Sequence, residues 1–308
     1  MPIEWRKDEH QLHLYNDHVS YVMRVLGSGA LAHLYFGPRL TTERDYGHFI
    51  RSSFITRYNQ VLDPIPSELP TAGRGDFRVP GLSVRHADGS TVLDLIYREH
   101  TISAGKPPLD GLPSTYVDDD DEADSVEIIL VDGHSNLRVH LVTTIYAQRP
   151  VVTRSMRVVN DGTADVKLTT AMSAVLDLPD SDWHLLQLTG AWARETHIVD
   201  APLVSGTRAV RSQRGSTGHQ QNPFILLRRP ATTEGAGEAI GMSLVYSGNF
   251  LAEVEVDSND TVRARVGMDP ETVRWQITPG MDLQIPEAVL VWSDEGIGGV
   301  SDAYHRLY

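Results

Sequence analysis

Cysteine is absent from all 308 residues of the sequence. The chain therefore has no disulfide framework, no thiolate metal site and no thiol nucleophile. Long apolar runs are missing too, since no stretch approaches the roughly 18 consecutive apolar residues of a transmembrane helix. The first residues, MPIEWRKDEHQLHL, have neither the apolar core nor the small-residue cleavage site of a signal peptide. We therefore predict a cytoplasmic protein that does not bind membranes.

Positive charge is also scarce. The 27 Lys and Arg residues are outnumbered by 41 Asp and Glu residues, which gives a formal net charge of -14. Nucleic-acid binders need clustered Lys and Arg to neutralise phosphates, so this balance argues against such a partner and favours a neutral ligand. The hydrophobic fraction of 41% and the charged fraction of 22% are typical of a globular protein.

Alternation of apolar and polar residues dominates the chain and predicts β-strands. In three segments the alternating runs flank an Asp-Gly pair, which is typical of tight hairpin turns. These segments are 82–97 around Asp88-Gly89, 124–146 around Asp132-Gly133 and 151–178 around Asp161-Gly162. We predict an antiparallel hairpin at each of them.

Further strand-like runs bring the number of predicted strands well above ten. They are 20–26, 31–36, 240–246, 251–256, 261–266, 272–277 and 286–292. A sheet of this size usually splits into two layers packed face to face. The sequence therefore predicts an all-β fold, a large antiparallel β-sandwich. Helical periodicity is confined to the end of the chain, where Ser301 or Asp302 is predicted to cap the start of a helix.

Motifs for metal or nucleophilic chemistry are not found. The acidic run Asp118–Asp121, with Glu122 and Asp124, lies in an irregular segment (103–125) and lacks the ligand spacing of an EF-hand, so we interpret it as a solvated loop. The thirteen His residues show no zinc-binding spacing, and no G-x-S-x-G motif is present. We predict no metal, no cofactor and no catalytic residue. The carboxylate pair of a glycosidase is not excluded, because its members can lie far apart in sequence.

Two polar stretches are candidates for ligand contact. In GSTGHQQNPF (215–224), His219, Gln220 and Asn222 offer hydrogen-bonding groups for sugar hydroxyls or for loop backbone, and we favour loop scaffolding. In LTGAWARE (188–195), Trp192 can stack on a sugar or fill the core, and we favour core filling. Both alternatives stay open at this stage.

Several segments together resemble one known family. They are SYVMRVLGSGALAHLYFG (20–37), GRGDFRVP (73–80), LDGLPSTYV (109–117), TGAWARE (189–195), RGSTGHQQNPF (214–224), YSGNFLAEVEVD (246–257) and the last thirty residues from Pro279. In order and over the whole chain, they resemble the N-terminal domain of bacterial α-galactosidases (melibiases) of glycoside hydrolase family 36.

The resemblance implies a β-supersandwich of the galactose-mutarotase type over residues 1–308. In this family a (β/α)₈ barrel and a C-terminal β domain follow, and the barrel carries an Asp nucleophile and an Asp acid/base that cleave melibiose and raffinose with retention. The family's barrel motifs are absent from this sequence. We therefore expect a single non-catalytic domain that is inactive on its own.

The resemblance also implies a substrate-binding loop. In tetrameric members, a loop near residue 50 contacts galactose in the active site of a neighbouring subunit. Arg57 matches an Arg of that loop, while Arg51-Ser52-Ser53 stands where some members have an Asp. Ser53 can still bond a hydroxyl, but without the charge of a carboxylate. The candidate substrate-binding residues are Arg51, Ser53, Arg57, Trp192, His219, Gln220 and Asn222.

Three functions remain in competition. The first is the non-catalytic part of an oligomeric α-galactosidase, which meets α-galactosides only in the full-length enzyme and completes the sugar pocket of a neighbouring subunit. The second is a free-standing carbohydrate-binding module. The third is a purely structural assembly domain whose loops never touch sugar.

Overall fold

The computed structural model describes residues 2–50, 65–73 and 75–308, which form nineteen strands and one α-helix. The strands are β1 (Ile3–Arg6), β2 (Gln11–Tyr15), β3 (Val19–Val25), β4 (Leu31–Pro38), β5 (Leu82–His86), β6 (Leu95–Ala104), β7 (Ala123–Asp132), β8 (Leu137–Tyr146), β9 (Val151–Asn160), β10 (Val166–Leu178), β11 (His184–Ala191), β12 (Arg194–Pro202), β13 (Gly206–Ser212), β14 (Gln221–Arg228), β15 (Ala239–Val245), β16 (Phe250–Val256), β17 (Val262–Met268), β18 (Trp275–Ile277) and β19 (Asp282–Ser293). The helix is α1 (Gly296–Leu307).

The strands form three antiparallel sheets around one large core. The four-stranded sheet follows the chain from β1 to β4. The six-stranded sheet has the order β13-β16-β17-β10-β18, with β5 also paired to β10, and the nine-stranded sheet runs β12-β11-β14-β15-β19-β9-β8-β7-β6. Apolar side chains from all three sheets, such as Leu14, Ile128 and Leu176, belong to a single buried cluster. The predicted all-β antiparallel sandwich is confirmed.

Of the three predicted hairpins, one is confirmed. Strands β7 and β8 flank Asp132-Gly133 and pair from Ala123↔Tyr146 to Val131↔Arg138. The turn at Asp88-Gly89 forms, but β5 pairs with β10 whereas β6 pairs with β7 in another sheet. Likewise, β9 enters the nine-stranded sheet whereas β10 enters the six-stranded one. These two hairpin predictions are wrong, because both turns carry the chain from one layer to the other.

The predicted helix cap is also wrong. Helix α1 begins at Gly296, so Ser301 and Asp302 lie inside it and do not cap its start. The helix buries Val300 and Ala303 against a small apolar cluster on the outer side of β15 and β19. No α-helix among the described residues is long and apolar enough to cross a membrane.

Gly241 in β15 makes the close approach of α1 possible. A Cβ atom at Gly241 would lie 2.7 Å from Cγ1 of Val300 and 2.9 Å from Cε2 of Tyr304. Both distances are shorter than ordinary van der Waals contact, so any side chain at this position would push the helix outward.

Residues 118–122 of the acidic run cross a loop and a short 3-10 turn, Asp120–Glu122, before β7 begins, whereas Asp124 lies within β7 and is buried. Within the described ranges, no group of three or more His, Asp or Glu side chains is arranged to hold a metal ion.

Candidate carbohydrate-contact regions

Trp192 lies at the tip of the hairpin between β11 and β12. The last backbone pair of this hairpin is Ala191↔Arg194, and Ala193 takes a positive φ of 59° to close the turn. The indole is 86% exposed. The favoured interpretation of Trp192 as a core residue is therefore wrong, because the turn projects the side chain beyond the end of the sheet. An exposed Trp of this kind is typical of contact surfaces.

The polar loop before β14 lies directly beside this hairpin. The amide N of Gly190 donates to the carbonyl O of Gln220 over 3.3 Å. A Cβ atom at Gly190 would lie 2.8 Å from the carbonyl O of His219, so the two segments touch through backbone. The structure thus brings Trp192, His219 and Gln220 to one end of the nine-stranded sheet. Asn222 belongs to β14 itself and is half-buried.

Hydrogen bonds to backbone groups fix the start of this polar loop. The amide N of Gly215 donates to Oδ1 of Asn249 (2.7 Å), and the amide N of Thr217 donates to the carbonyl O of Ser247 (2.8 Å). Oγ of Ser212 donates to the carbonyl O of Ser216 (2.9 Å). These bonds match the loop-scaffolding interpretation for residues 212–217, while His219 remains exposed. Direct contact between His219, Gln220 or Asn222 and a ligand stays a prediction.

Arg51, Ser53 and Arg57 lie outside the described residues, but the segment that leads into them is firmly held. Nε2 of Gln11 donates to the carbonyl O of Arg44 (2.9 Å), and Oε1 of the same side chain accepts from the amide N of Tyr46 (2.8 Å). The rings of Tyr46 and Phe49 stack with centroids 5.6 Å apart, and Phe49 stacks on Tyr35 at 5.4 Å. The chain therefore reaches residue 51 from a rigid base on the four-stranded sheet.

The segment that begins at Ile65 is anchored by buried charges. Nη2 of Arg78 donates to the carbonyl O of Ile65 (2.8 Å), and Oδ2 of Asp177 accepts from the amide N of Ser67 (2.9 Å). Arg263 binds both carboxylate oxygens of Asp177 at 2.7 Å. Burial alone would raise the pKa of Asp177, but Arg263 and the other donors outweigh it and hold this pKa below its usual value.

The described base of the first region and the Trp192 hairpin lie toward opposite ends of β11. Tyr35, in the first region, lies near Glu238, whose charge adds to the effect of burial in raising the tyrosine's pKa. Glu238 immediately precedes β15, at the end of the sheet where His184 pairs with Arg228. Trp192 lies beyond the other end of β11, whose eight residues span about 26 Å.

Comparison with known proteins identifies the family. Residues 29–278 match the model of the glycosyl hydrolase family 36 N-terminal domain. The chain is 42% identical to α-galactosidase AgaA of Geobacillus stearothermophilus, covering 100% of this chain and 43% of that protein. It is 36% identical to α-galactosidase Mel36A of Lactobacillus acidophilus, over 96% of this chain and 41% of the relative. This chain belongs to glycoside hydrolase family 36.

Solved structures of family 36 enzymes agree with the fold described above. The crystal structure of AgaB from G. stearothermophilus superposes with a TM-score of 0.95 at 42% identity, covering 100% of this chain and 43% of that one. The α-galactosidase of Lactobacillus brevis superposes with a TM-score of 0.95 at 33% identity, over 99% of this chain and 42% of that one. The family 36 N-terminal domain thus spans about two fifths of the relatives it matches.

Buried carboxylates are numerous in this family 36 domain, and most of them pair with a base. The pairs are Glu68 with Arg154 (3.0 Å), Asp76 and Asp177 with Arg263, Glu253 with Arg265 (2.8 Å), Asp269 with Arg211 (3.1 Å) and Glu287 with Lys106 (2.6 Å). Sequence reasoning missed all of these pairs. The available signal was a charged residue at an inward position of an apolar strand, such as Arg154 in VVTRSM.

Proposed function

We propose that this chain is the non-catalytic N-terminal domain, over residues 1–308, of a cytoplasmic α-galactosidase whose (β/α)₈ barrel and C-terminal β domain belong to a longer protein. The observation that carries this proposal is the match of the whole chain to 43% of AgaA, an α-galactosidase. A barrel needs about 250 further residues, and the remaining length of the relatives leaves room for it. The ion pairs of the buried carboxylates support a structural role for these acids.

Within that enzyme, the domain supplies sugar contacts from two places. Trp192 offers an exposed aromatic face beside His219 and Gln220, with Asn222 at the start of the next strand. The segment with Arg51, Ser53 and Arg57 supplies donors from the rigid base described above. In this proposal, a single pocket takes these two sets of contacts from different copies of the chain. The proposed enzyme is therefore a homo-oligomer, and the family resemblance implies a tetramer.

The proposed substrates are α-galactosides of the melibiose and raffinose type, cleaved with retention by carboxylates of the barrel. Variants of AgaA have been crystallised in complex with raffinose and with stachyose. An exposed indole suits such ligands because the apolar face of a galactose ring packs on it, while neighbouring amides bind the hydroxyls.

The test compares two proteins on p-nitrophenyl α-galactoside. One is this 308-residue chain, and the other is a longer chain that also carries the barrel. We expect release of p-nitrophenol by the longer protein only. Turnover by the 308-residue chain at a comparable rate would overturn the assignment, because the catalytic carboxylates would then lie within it.

A free-standing carbohydrate-binding module is the second candidate, and the exposure of Trp192 favours it. This function predicts that the isolated chain binds raffinose and that Trp192→Ala abolishes binding in titration calorimetry. The galactosidase proposal predicts instead that tight binding needs the barrel. Calorimetry on the isolated chain and on the longer protein therefore separates the two functions.

A further inference from the structure

A second concave surface lies on the outer face of the nine-stranded sheet, on strands that β14 and β15 separate from the Trp192 hairpin. Strands β6, β7, β8, β9 and β19 form its floor, and residues 107–110 form a wall over it. Its volume is about 440 Å³, which is within the range of roughly 300–1,000 Å³ that small-molecule sites occupy. We call this surface the outer groove.

The alternation of the strands explains why its floor is polar. In β8, Val139 and Leu141 point into the core, so His140 and Val142 point outward. The register places His140 opposite Arg157 of β9, and Val142 opposite Glu127 of β7. Polar side chains of neighbouring strands thus form a continuous row under the wall.

The charges of the floor are compensated locally. Nδ1 of His140 lies 2.8 Å from Oε1 of Glu127, and Nη1 of Arg157 donates to Oδ2 of Asp282 over 3.2 Å. Asp110, exposed on the wall, disfavours an anionic ligand. The outer groove therefore offers hydrogen-bonding groups without an unopposed positive charge, which suits a neutral, polar molecule.

His140 retains unused hydrogen-bonding capacity. The residue is 92% buried, since its exposed fraction is 8%. Its Nε2 atom has no hydrogen-bond partner in the part of the chain that the structure describes. A buried polar atom without a partner is costly, and a ligand or a water molecule that bonds to it recovers that cost. Thr101 and Ser103 add exposed hydroxyls at the edge of the groove.

The wall is held rigidly, and Pro107 to Leu109 form its apolar part. Nζ of the buried Lys106 lies 2.6 Å from Oε2 of Glu287. The amide N and Oγ1 of Thr115 both donate to Oε1 of Glu287 at 2.7 Å. Glu287 thus fixes both ends of the segment between Lys106 and Thr115. This segment contains Pro107 and Pro108, whose rings line the groove. A fixed apolar wall opposite a row of hydroxyl, imidazole and carboxylate groups matches the amphipathic surface of a pyranose.

We propose that the outer groove is a second carbohydrate site, which binds one neutral monosaccharide unit through Glu127 and His140 with Pro107 and Pro108 against the ring. This site is distinct from the Trp192 region and does not depend on the galactosidase proposal. It needs no catalytic step, and its ligand is bound by hydrogen bonds and by packing alone.

The experiment uses saturation-transfer NMR of the 308-residue chain with D-galactose and, separately, with D-glucose at millimolar concentration. We expect saturation transfer to at least one sugar. Val142→Trp fills the groove and should abolish the signal. The matched control is Val131→Trp, on the outer face of the adjacent strand β7 and outside the groove, which should retain it. Glu127→Ala, at a half-exposed carboxylate, should weaken binding about tenfold.

Trp192→Ala separates the two proposed sugar sites. If the outer groove binds the sugar, this variant keeps the signal. If Trp192→Ala abolishes the signal while Val142→Trp keeps it, the groove proposal is overturned and the hairpin region is the binding site. The proposal is also overturned if neither sugar receives saturation from the unaltered chain, or if Val131→Trp and Val142→Trp lower the signal equally.

Discussion

Removal of Arg263 tests how the segment after residue 64 is held. The Arg263 side chain is 0% exposed. It donates to both oxygens of Asp177 at 2.7 Å and to Oδ2 of Asp76 at 2.8 Å. Arg263→Met keeps much of the side-chain volume but leaves the two buried carboxylates, among the described residues, with Arg78 as their remaining basic partner. Removing one partner of a buried ion pair costs about 3–5 kcal/mol, and we expect a loss in that range.

The assay is urea denaturation of the 308-residue chain at pH 7, with Arg138→Met as the control. Arg138 is 36% exposed and pairs with Asp161, which is 44% exposed. Surface pairs of this kind contribute about 0–1 kcal/mol. A loss below about 1 kcal/mol for Arg263→Met, equal to that of the control, would refute the reasoning.

The pH dependence gives the same prediction an independent check. The pKa of Asp177 is lowered in the folded protein, so its ion pair stabilises the fold above the unfolded pKa of about 3.9. This contribution is lost as the pH falls through the lower, folded pKa. In Arg263→Met, burial without the arginine raises the pKa of Asp177. As the pH falls, the difference in unfolding free energy between the two proteins should therefore narrow, first through the raised pKa of Asp177 in the variant and then below the unfolded pKa of about 3.9. A constant difference would contradict the assignment.

Two further variants probe the helix contact and the base of the candidate loop. Gly241→Ala should lower the free energy of unfolding by about 1–3 kcal/mol, because the new methyl group overpacks against Val300. In the control Gly235→Ala, the new Cβ lies within 4 Å of no atom of the described residues, and stability should not change. Equal urea midpoints for the two variants would contradict this prediction. Burial, with a smaller effect of Arg39, lowers the pKa of His13 in the folded protein to about 4. As the pH is lowered from about 6.5 to about 4, the unfolded state therefore gains this proton but the folded state does not. The free energy of unfolding decreases over that interval. His13→Gln should flatten that slope in pH-dependent thermal melts, and an unchanged slope would contradict it.

Local turn chemistry predicts that a turn exists but not which sheet receives the next strand. Asp132-Gly133 and Asp161-Gly162 look alike in sequence, yet only the first joins strands that pair. At the second, Nδ2 of Asn160 donates to the carbonyl O of Ala164 (2.9 Å) and to that of Ile277 (2.8 Å). Ile277 lies in β18, so a contact distant in sequence ties the turn to the other sheet. Alternation alone carries no information on such a contact.

In the candidate site, too, the features that the sequence failed to predict depend on structure that apolar character and local patterns do not reveal. The exposure of Trp192 follows from its place in a two-residue turn, which apolar character alone does not reveal. The Asp177–Arg263 pair joins residues 86 apart in sequence, so no local pattern predicts it. The neighbouring position of the hairpin and of the loop at 215–222 likewise depends on the pairing of β11 with β14.

The most direct measurement of the central claim is the steady-state kinetics of Trp192→Ala in the longer enzyme with raffinose as substrate. Loss of an aromatic contact worth about 1.4 kcal/mol raises KM about tenfold. In this account the indole binds the substrate and the transition state equally, so kcat should change little. Trp275→Ala, at a half-exposed indole in β18, should leave both constants unchanged. If Trp192→Ala also leaves KM unchanged, this domain does not contribute its hairpin to the sugar pocket.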